Sequence, residues 1–123
     1  MIDTSIGVDI EKISKFEYLL SQKGFYNLNR IFLNSELEYA IAEGNAASHL
    51  AACFCMKEAT IKALSQFGVC GIGLHQVEVL HNDSGMPEIN IIGLSNQYKV
   101  SVSTSHSGGM AIASTLVTKY DKI

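Results

Sequence analysis

The stretch from Asn45 to Gln66 constrains this chain more than any other. It runs without a glycine or proline, and nearly every position is small or apolar. Such a run predicts one long helix. On a wheel of about 100° per residue, Leu50, Ile61 and Leu64 fall within about 80° of Phe54 and mark a core face. Ala46, Ala51, Ala52, Cys55, Met56, Ala59 and Ala63 make most of the remaining surface small or apolar too. A helix of that kind is buried on several sides, which calls for a sheet of its own chain and leaves a place for another subunit.

Into this helix the sequence sets Lys57, Glu58 and Lys62. Lys57 falls inside the apolar stripe, Glu58 at its edge and Lys62 a turn further on. A surface Glu-to-Lys pair at i,i+4 contributes only about 0.3–0.5 kcal/mol. On so apolar a helix the charges must instead meet each other, a metal or a charged ligand, because a buried unpaired charge costs several kcal/mol or more.

The remaining elements read as follows. Ser5 to Ile10 alternates as a strand, with Ile6, Val8 and Ile10 on one face and Gly7 and Asp9 on the other. Helical spacing runs from about Glu11 to Ser21. Ser35 with Glu38 matches a capping box and predicts a short helix that Gly44 stops. Phe67 to Gly73 reads as a glycine-rich mobile loop without the Gly-Lys-Ser/Thr ending of a P-loop. Strands are predicted over His75 to His81 and Glu88 to Ile92, joined by Asn82–Pro87. Two more, Lys99 to Ser103 and Met110 to Val117, are joined through the hairpin Ser105-His106-Ser107-Gly108-Gly109. Strands grouped after helices, with short turns, give an α+β fold: one compact domain, mainly antiparallel, around a long central helix.

At 123 residues and 47% apolar, the chain has the size and composition of one packed domain, and no repeat or linker divides it. A net charge of −3 argues against a nucleic-acid surface. No apolar run reaches the ~18 residues of a membrane span, and acids near the N-terminus do not suit a signal peptide. Three cysteines, two of them at Cys53 and Cys55, suggest reduced thiols rather than a disulfide framework. A cytoplasmic location is expected.

Asp9 gains meaning as an oxygen ligand beside Glu58, since Mg²⁺ typically takes one or two carboxylates and completes its shell with water and phosphate. His106 sits where small residues let backbone N–H groups approach a phosphate. His49, His75 and His81 show no partner pattern and are read as structural.

Three segments taken together resemble the motifs of the holo-acyl carrier protein synthases: Gly7-Val8-Asp9-Ile10, Lys57-Glu58-Ala59-x-x-Lys62-Ala63 and Val102-Ser103-x-Ser105-His106-Ser107. Asn82-Asp83-x-Gly85-x-Pro87 is similar to a further turn of that family, and the similarity spans the whole chain, 1–123, as one phosphopantetheinyl transferase domain. The resemblance implies a homotrimer with active sites at the subunit interfaces. It also implies the reaction, transfer of 4′-phosphopantetheine from coenzyme A to a serine of an apo acyl carrier protein, with release of adenosine 3′,5′-bisphosphate. Asp9 and Glu58 would hold Mg²⁺ and, with Lys62, form the catalytic set. His106, Ser105, Ser107 and Lys57 would contact coenzyme A, Lys57 with the alternative of a structural partner.

Three positions depart from the family pattern. Ser14 and Cys53 stand where arginine is usual, and Met86 where lysine is frequent. The recognition surface thereby loses positive charge, for which Lys12, Lys15 and Lys23 are the available substitutes. This leaves a second reading, a trimer that binds coenzyme A or a carrier without efficient transfer, and a third, in which Lys57, Glu58 and Lys62 only brace an interface.

Overall fold

The computed structural model describes residues 3–22 and 26–121. Strand β1 (Asp3–Lys12) leads into helix α1 (Ile13–Ser21), then α2 (Tyr26–Ile31), α3 (Asn34–Glu43) and the long α4 (Ala46–Ser65). A 3₁₀ turn at Leu74–Gln76 precedes β2 (Val77–His81), β3 (Pro87–Ile91), β4 (Tyr98–Ser107) and β5 (Met110–Lys119). The fold is α+β, and the described strands all pair antiparallel, as expected. They form two sheets, one ordered β1-β5-β4 and one pairing β2 with β3.

β4 and β5 run further than the sequence suggested. Gly108 and Gly109 adopt φ of 58° and 78°, the left-handed pair that a two-residue hairpin requires. Ser107 therefore pairs directly with Met110, and Ser105 and His106 lie in a strand rather than in a loop. The helix α2 was not read from the sequence. The expected box of Ser35 and Glu38 is also corrected: α3 starts at Asn34, and the backbone N–H of Leu33 donates to the Glu36 carboxylate at 2.8 Å. Gly44 ends α3 with φ 76°.

α4 packs on β1 and β5, with Ala59 and Ala63 against Gly7 and, from the Phe54 stripe, Leu64 in one cluster with Val117. A Cβ placed on Gly7 would stand 2.0 Å from the Ala59 carbonyl oxygen, so only glycine lets β1 approach so closely. The contact is sewn by polar links: Ser5 Oγ donates to Ala63 O at 2.7 Å, and the Thr60 and Thr115 hydroxyls lie 3.3 Å apart. The Phe54 side instead meets the helices, with Phe16 at 5.6 Å between ring centroids and Phe32 beyond it. Leu50, Ala51, Cys55, Ala59, Ala63 and Leu64 are all buried within this one chain. α1, α3, β2 and the sheet thus cover most of the apolar surface of α4, while Ala46, Ala52 and Ile61 stay half-buried.

Unpaired apolar surface lies on the other face of the sheet. Ile6, Val8 and Ile10 of β1 are 67%, 55% and 56% exposed, and Ile112 and Leu116 of β5 continue the same face. Register places Ile6 opposite Leu116 and Ile10 opposite Ile112, so these side chains form one contiguous patch. Among the described residues no helix is long and apolar enough to cross a membrane.

Candidate active site

Asp9 points from β1 toward α4, because alternation along the strand puts it on the face of Ser5 and Gly7. There it meets the C-terminal half of α4. Lys62 Nζ donates to Asp9 Oδ1 at 3.1 Å and to the Val8 carbonyl at 3.1 Å. The Asp9 side chain is only 13% exposed, whereas Lys62 is 54% exposed and reaches in from solvent. The other carboxylate oxygen, Asp9 Oδ2, is buried and has no hydrogen-bond partner among the described residues. A buried carboxylate oxygen in that condition requires a donor or a cation.

Glu58 lies on α4 one turn before Lys62. Partial burial pushes its carboxyl above the ordinary carboxylate range, and the negative charge of Asp9 pushes it further, against the pull of Lys62. The Cys55 thiol feels the same field: burial first, then Asp9 and Glu11, raise it to about 12, so it stays a neutral filler. Lys15 is committed elsewhere, 3.5 Å from Glu11 and over the Phe54 ring at 4.6 Å. The site is thus a carboxylate pair whose negative charge is only partly answered by Lys62. Among the described residues no three or more His, Cys, Asp or Glu side chains gather as a metal nest. Two carboxylates, one with a free buried oxygen, suit a hard cation that takes its other oxygens from water and substrate, as Mg²⁺ does.

Lys57 has a different fate. Its ammonium is fully buried, 2.8 Å from Glu36 Oε1, and donates to the carbonyls of Leu74 at 2.9 Å and Val77 at 2.6 Å. All three donors are used, so the expectation that Lys57 contacts coenzyme A is corrected in favour of the structural alternative. Glu36 is equally satisfied, with its second oxygen accepting from the Val79 N–H at 2.8 Å. The buried pair ties α3, α4 and β2 together. Sequence reasoning missed Glu36, although a lysine inside an apolar stripe was the signal that an acid had to be found for it.

A second cluster lies across the sheet. Asp9 pairs with Ala113, and Thr104 pairs with Ala113 from the other side, so β5 separates Asp9 from β4 by two strand spacings, about 10 Å. Beside Thr104 opens a cavity of about 180 Å³ between α3, α4 and the β2–β3 turn, lined among others by Cys53, Met56, Gly85 and Pro87. The turn is held by Asn82 Oδ1, which accepts from Ser84 N and Met86 N at 2.9 and 3.0 Å. Its Gly85 takes φ 83°. His106 shares the sheet face of Thr104 and is exposed. Ser105 and Ser107 alternate to the opposite, apolar face, Ser105 beside Ile112. One chain therefore does not bring the three hairpin residues together, and their expected backbone cradle is a paired strand. His49 and His81 also line the cavity, which their reading as structural residues had passed over.

The profile of the 4′-phosphopantetheinyl transferase superfamily matches residues 5–117. A holo-[acyl-carrier-protein] synthase of Thermodesulfovibrio yellowstonii is 35% identical over 113 residues, covering 92% of this chain and 96% of the relative. One from Chlorobaculum parvum is 36% identical over 112 residues, covering 91% and 96%. Among solved structures, an ACPS–CoA complex from Chronobacterium ammoniagenes superposes with a TM-score of 0.80 at 27% identity, covering 98% of this chain and 99% of that one. A long α4 lies clamped on β1 by Gly7, with Asp9, Glu58 and Lys62 at its edge, and the chain belongs to the 4′-phosphopantetheinyl transferase superfamily. Within it, the enzyme is of the holo-[acyl-carrier-protein] synthase kind.

Proposed function

We propose that the chain transfers 4′-phosphopantetheine from coenzyme A to a serine hydroxyl of an apo acyl carrier protein, with Mg²⁺, leaving the holo carrier and adenosine 3′,5′-bisphosphate. The observation that carries this reading is the buried Asp9 Oδ2, without a partner among the described residues, near a Glu58 carboxyl raised by burial and then by Asp9's charge. Asp9 and Glu58 would hold the ion, which when bound supplies charge neutralisation at the pyrophosphate. Lys62, which reaches Asp9 from solvent, would meet the charge that develops on the departing phosphate. Glu58, or a water on the ion, would accept the serine proton. The serine oxygen then bonds to the phosphorus that carries pantetheine, and the bond from that phosphorus to the bridging pyrophosphate oxygen breaks. Phosphoryl transfer asks for such positioning and charge compensation more than for covalent help.

We also infer a homotrimer with shared sites. Asp9, Glu58 and Lys62 lie at the β1 edge of the sheet, whereas His106 and the Cys53–Gly85 cavity lie at the β4 edge, with α4 between them. A head-to-tail contact that sets the β1 edge of one copy beside the β4 edge of the next reunites both halves, and three such contacts close a ring. The open Ile6–Val8–Ile10 face supplies apolar surface for it. The free thiols of Cys53, Cys55 and Cys70 support action in the cytoplasm, where cysteines stay reduced.

The second reading, a non-catalytic coenzyme A or carrier binder, is favoured by one observation: among the described residues the cavity lining carries neither lysine nor arginine, and Lys57 behind it is fully engaged by Glu36. Incubation with coenzyme A, Mg²⁺ and a panel of apo carriers, with carrier mass read by mass spectrometry, decides between them. Addition of a phosphopantetheine group to a carrier is expected. Unchanged carriers, with coenzyme A still bound, would select the binder.

A further inference from the structure

The β4-edge cavity has an unusual electrostatic make-up for a pocket offered to a phosphate-rich ligand. Its apolar floor is Ala40, Ala52, Met56 and Val79, and its thiol, Cys53, is pushed well above the ordinary range by burial and then by Glu36, so it brings no charge. The lining residues able to become positive are His49 and His81. Both are organised by one ring. Tyr39 stacks on His81 at 3.9 Å between centroids and 6° between planes, and meets His49 edge-on at 5.7 Å and 87°. A phenol ring lying flat on an imidazole favours the imidazolium form by cation–π attraction. His49 stands in the first turns of α4, whose first turn has no acid to answer the positive end of the helix.

Resting on the transferase reading, we propose that His49 and His81 together form the anion-binding element of this cavity, and that they grip a phosphate group of coenzyme A by taking up a proton when it binds. The charged groups around them allow this. From α3, Glu43 faces Tyr39 and His81, and Glu36 is neutralised by Lys57; from α4, His49 faces His81; from β3, the residue paired with His81 is Pro87, which has no charge. Burial and then the neighbouring His49 hold His81 below the ordinary histidine value, so the empty cavity keeps it neutral near pH 7. A dianionic phosphate reverses that balance, and each imidazole then donates an N–H.

The consequence is an affinity that falls as pH rises. A phosphate monoester loses its second proton near pH 6, which would strengthen binding to a fixed cation as pH rises. The sign is opposite, so the ligand's own titration cannot imitate the effect. The test is calorimetric titration of the full-length protein with adenosine 3′,5′-bisphosphate at pH 6 and pH 8, in buffers of different ionisation enthalpy. The expected result is proton uptake and an affinity several-fold weaker at pH 8, below the roughly tenfold ceiling set by one imidazole raised by one unit. His81→Gln and His49→Phe should each flatten this slope, while uncharged adenosine shows none. An affinity that is flat or rises with pH in the wild type overturns the proposal, as do variants that keep the wild-type slope, which would assign it to His106. Transfer assays on the same preparations separate the two readings. A flat slope with active transfer overturns the imidazole proposal alone, and a histidine-dependent slope without transfer overturns the enzyme alone.

Discussion

Glu58 shows how the catalytic role proposed for a residue can conflict with its effect on stability. The fold raises its carboxyl above the ordinary value, so the ionised form is disfavoured in the folded protein relative to the unfolded one. That penalty is present above the raised value and absent below the unfolded one, hence stability is withheld at neutral pH and recovered on acidification. Without Mg²⁺, Glu58→Gln is therefore expected to raise Tm at pH 7, with the gain vanishing by about pH 4. With saturating Mg²⁺, the same variant should lose transfer by about 10²–10³-fold, the usual cost of removing one electrostatic contact of this kind. Thermal scans across pH and carrier mass spectrometry check the two halves, and a variant with wild-type transfer rate would remove Glu58 from the site. Lys57 behaves oppositely. Lys57→Met strands the 2% exposed Glu36 carboxylate, and urea denaturation should register a loss of about 3–5 kcal/mol, partly recovered by adding Glu36→Gln. Asp9, Glu58 and Lys62 were legible because charges on an apolar helix need partners. The Glu36 partner was not, since nothing local in Asn34–Glu43 distinguishes a capping carboxylate aimed inward from Glu38 aimed at solvent.

At the scale of elements, β1 and α4 act as one clamped unit, and Gly7 sets its spacing. Gly7→Ala drives a methyl onto the Ala59 carbonyl, a backbone atom that cannot swing aside, so α4 must move off the sheet. The expected cost is about 1–3 kcal/mol, read by denaturation, with transfer falling further than stability because Asp9 and Glu58 separate. The period of α4 and the alternation of the strands made most elements legible, with boundaries moved by a few residues. Which face of α4 meets the sheet was not. Hydrophobic weight selects Phe54, but close approach is decided by small side chains on both partners, Gly7 opposite Ala59 and Ala63. The hairpin at Gly108–Gly109 was read as a loop because serine and glycine signal turns, whereas ladder pairing with β5 carries the strand through Ser107.

For the whole molecule, the open face of Ile6, Val8 and Ile10 argues for assembly more strongly than α4 does. Light scattering at micromolar concentration is expected to give the mass of three 13.4 kDa chains, and Val8→Glu to give single chains without transfer. A wild-type mass near 13.4 kDa would refute the shared site. Carrier docking draws on longer-range fields. The chain carries −3 overall, and α1 offers little positive charge, since Lys15 is engaged by Glu11 and Phe54; Lys12 at the end of β1 is exposed, and Lys23 lies outside the described residues. Ser14 is exposed on α1, so an added guanidinium there would stay in solvent and act through space. Cys53→Arg is a poorer test, because Cys53 is buried on α4 and the larger side chain would overpack the cavity wall. Ser14→Arg is expected to raise kcat/KM for an acidic carrier through faster association, with kcat nearly unchanged. The gain should shrink as salt screens exposed charges over a Debye length of about 8–10 Å. Steady-state rates at low and high salt measure this directly. A gain confined to kcat, or one indifferent to salt, would mean that this end of α1 does not meet the carrier through its charge.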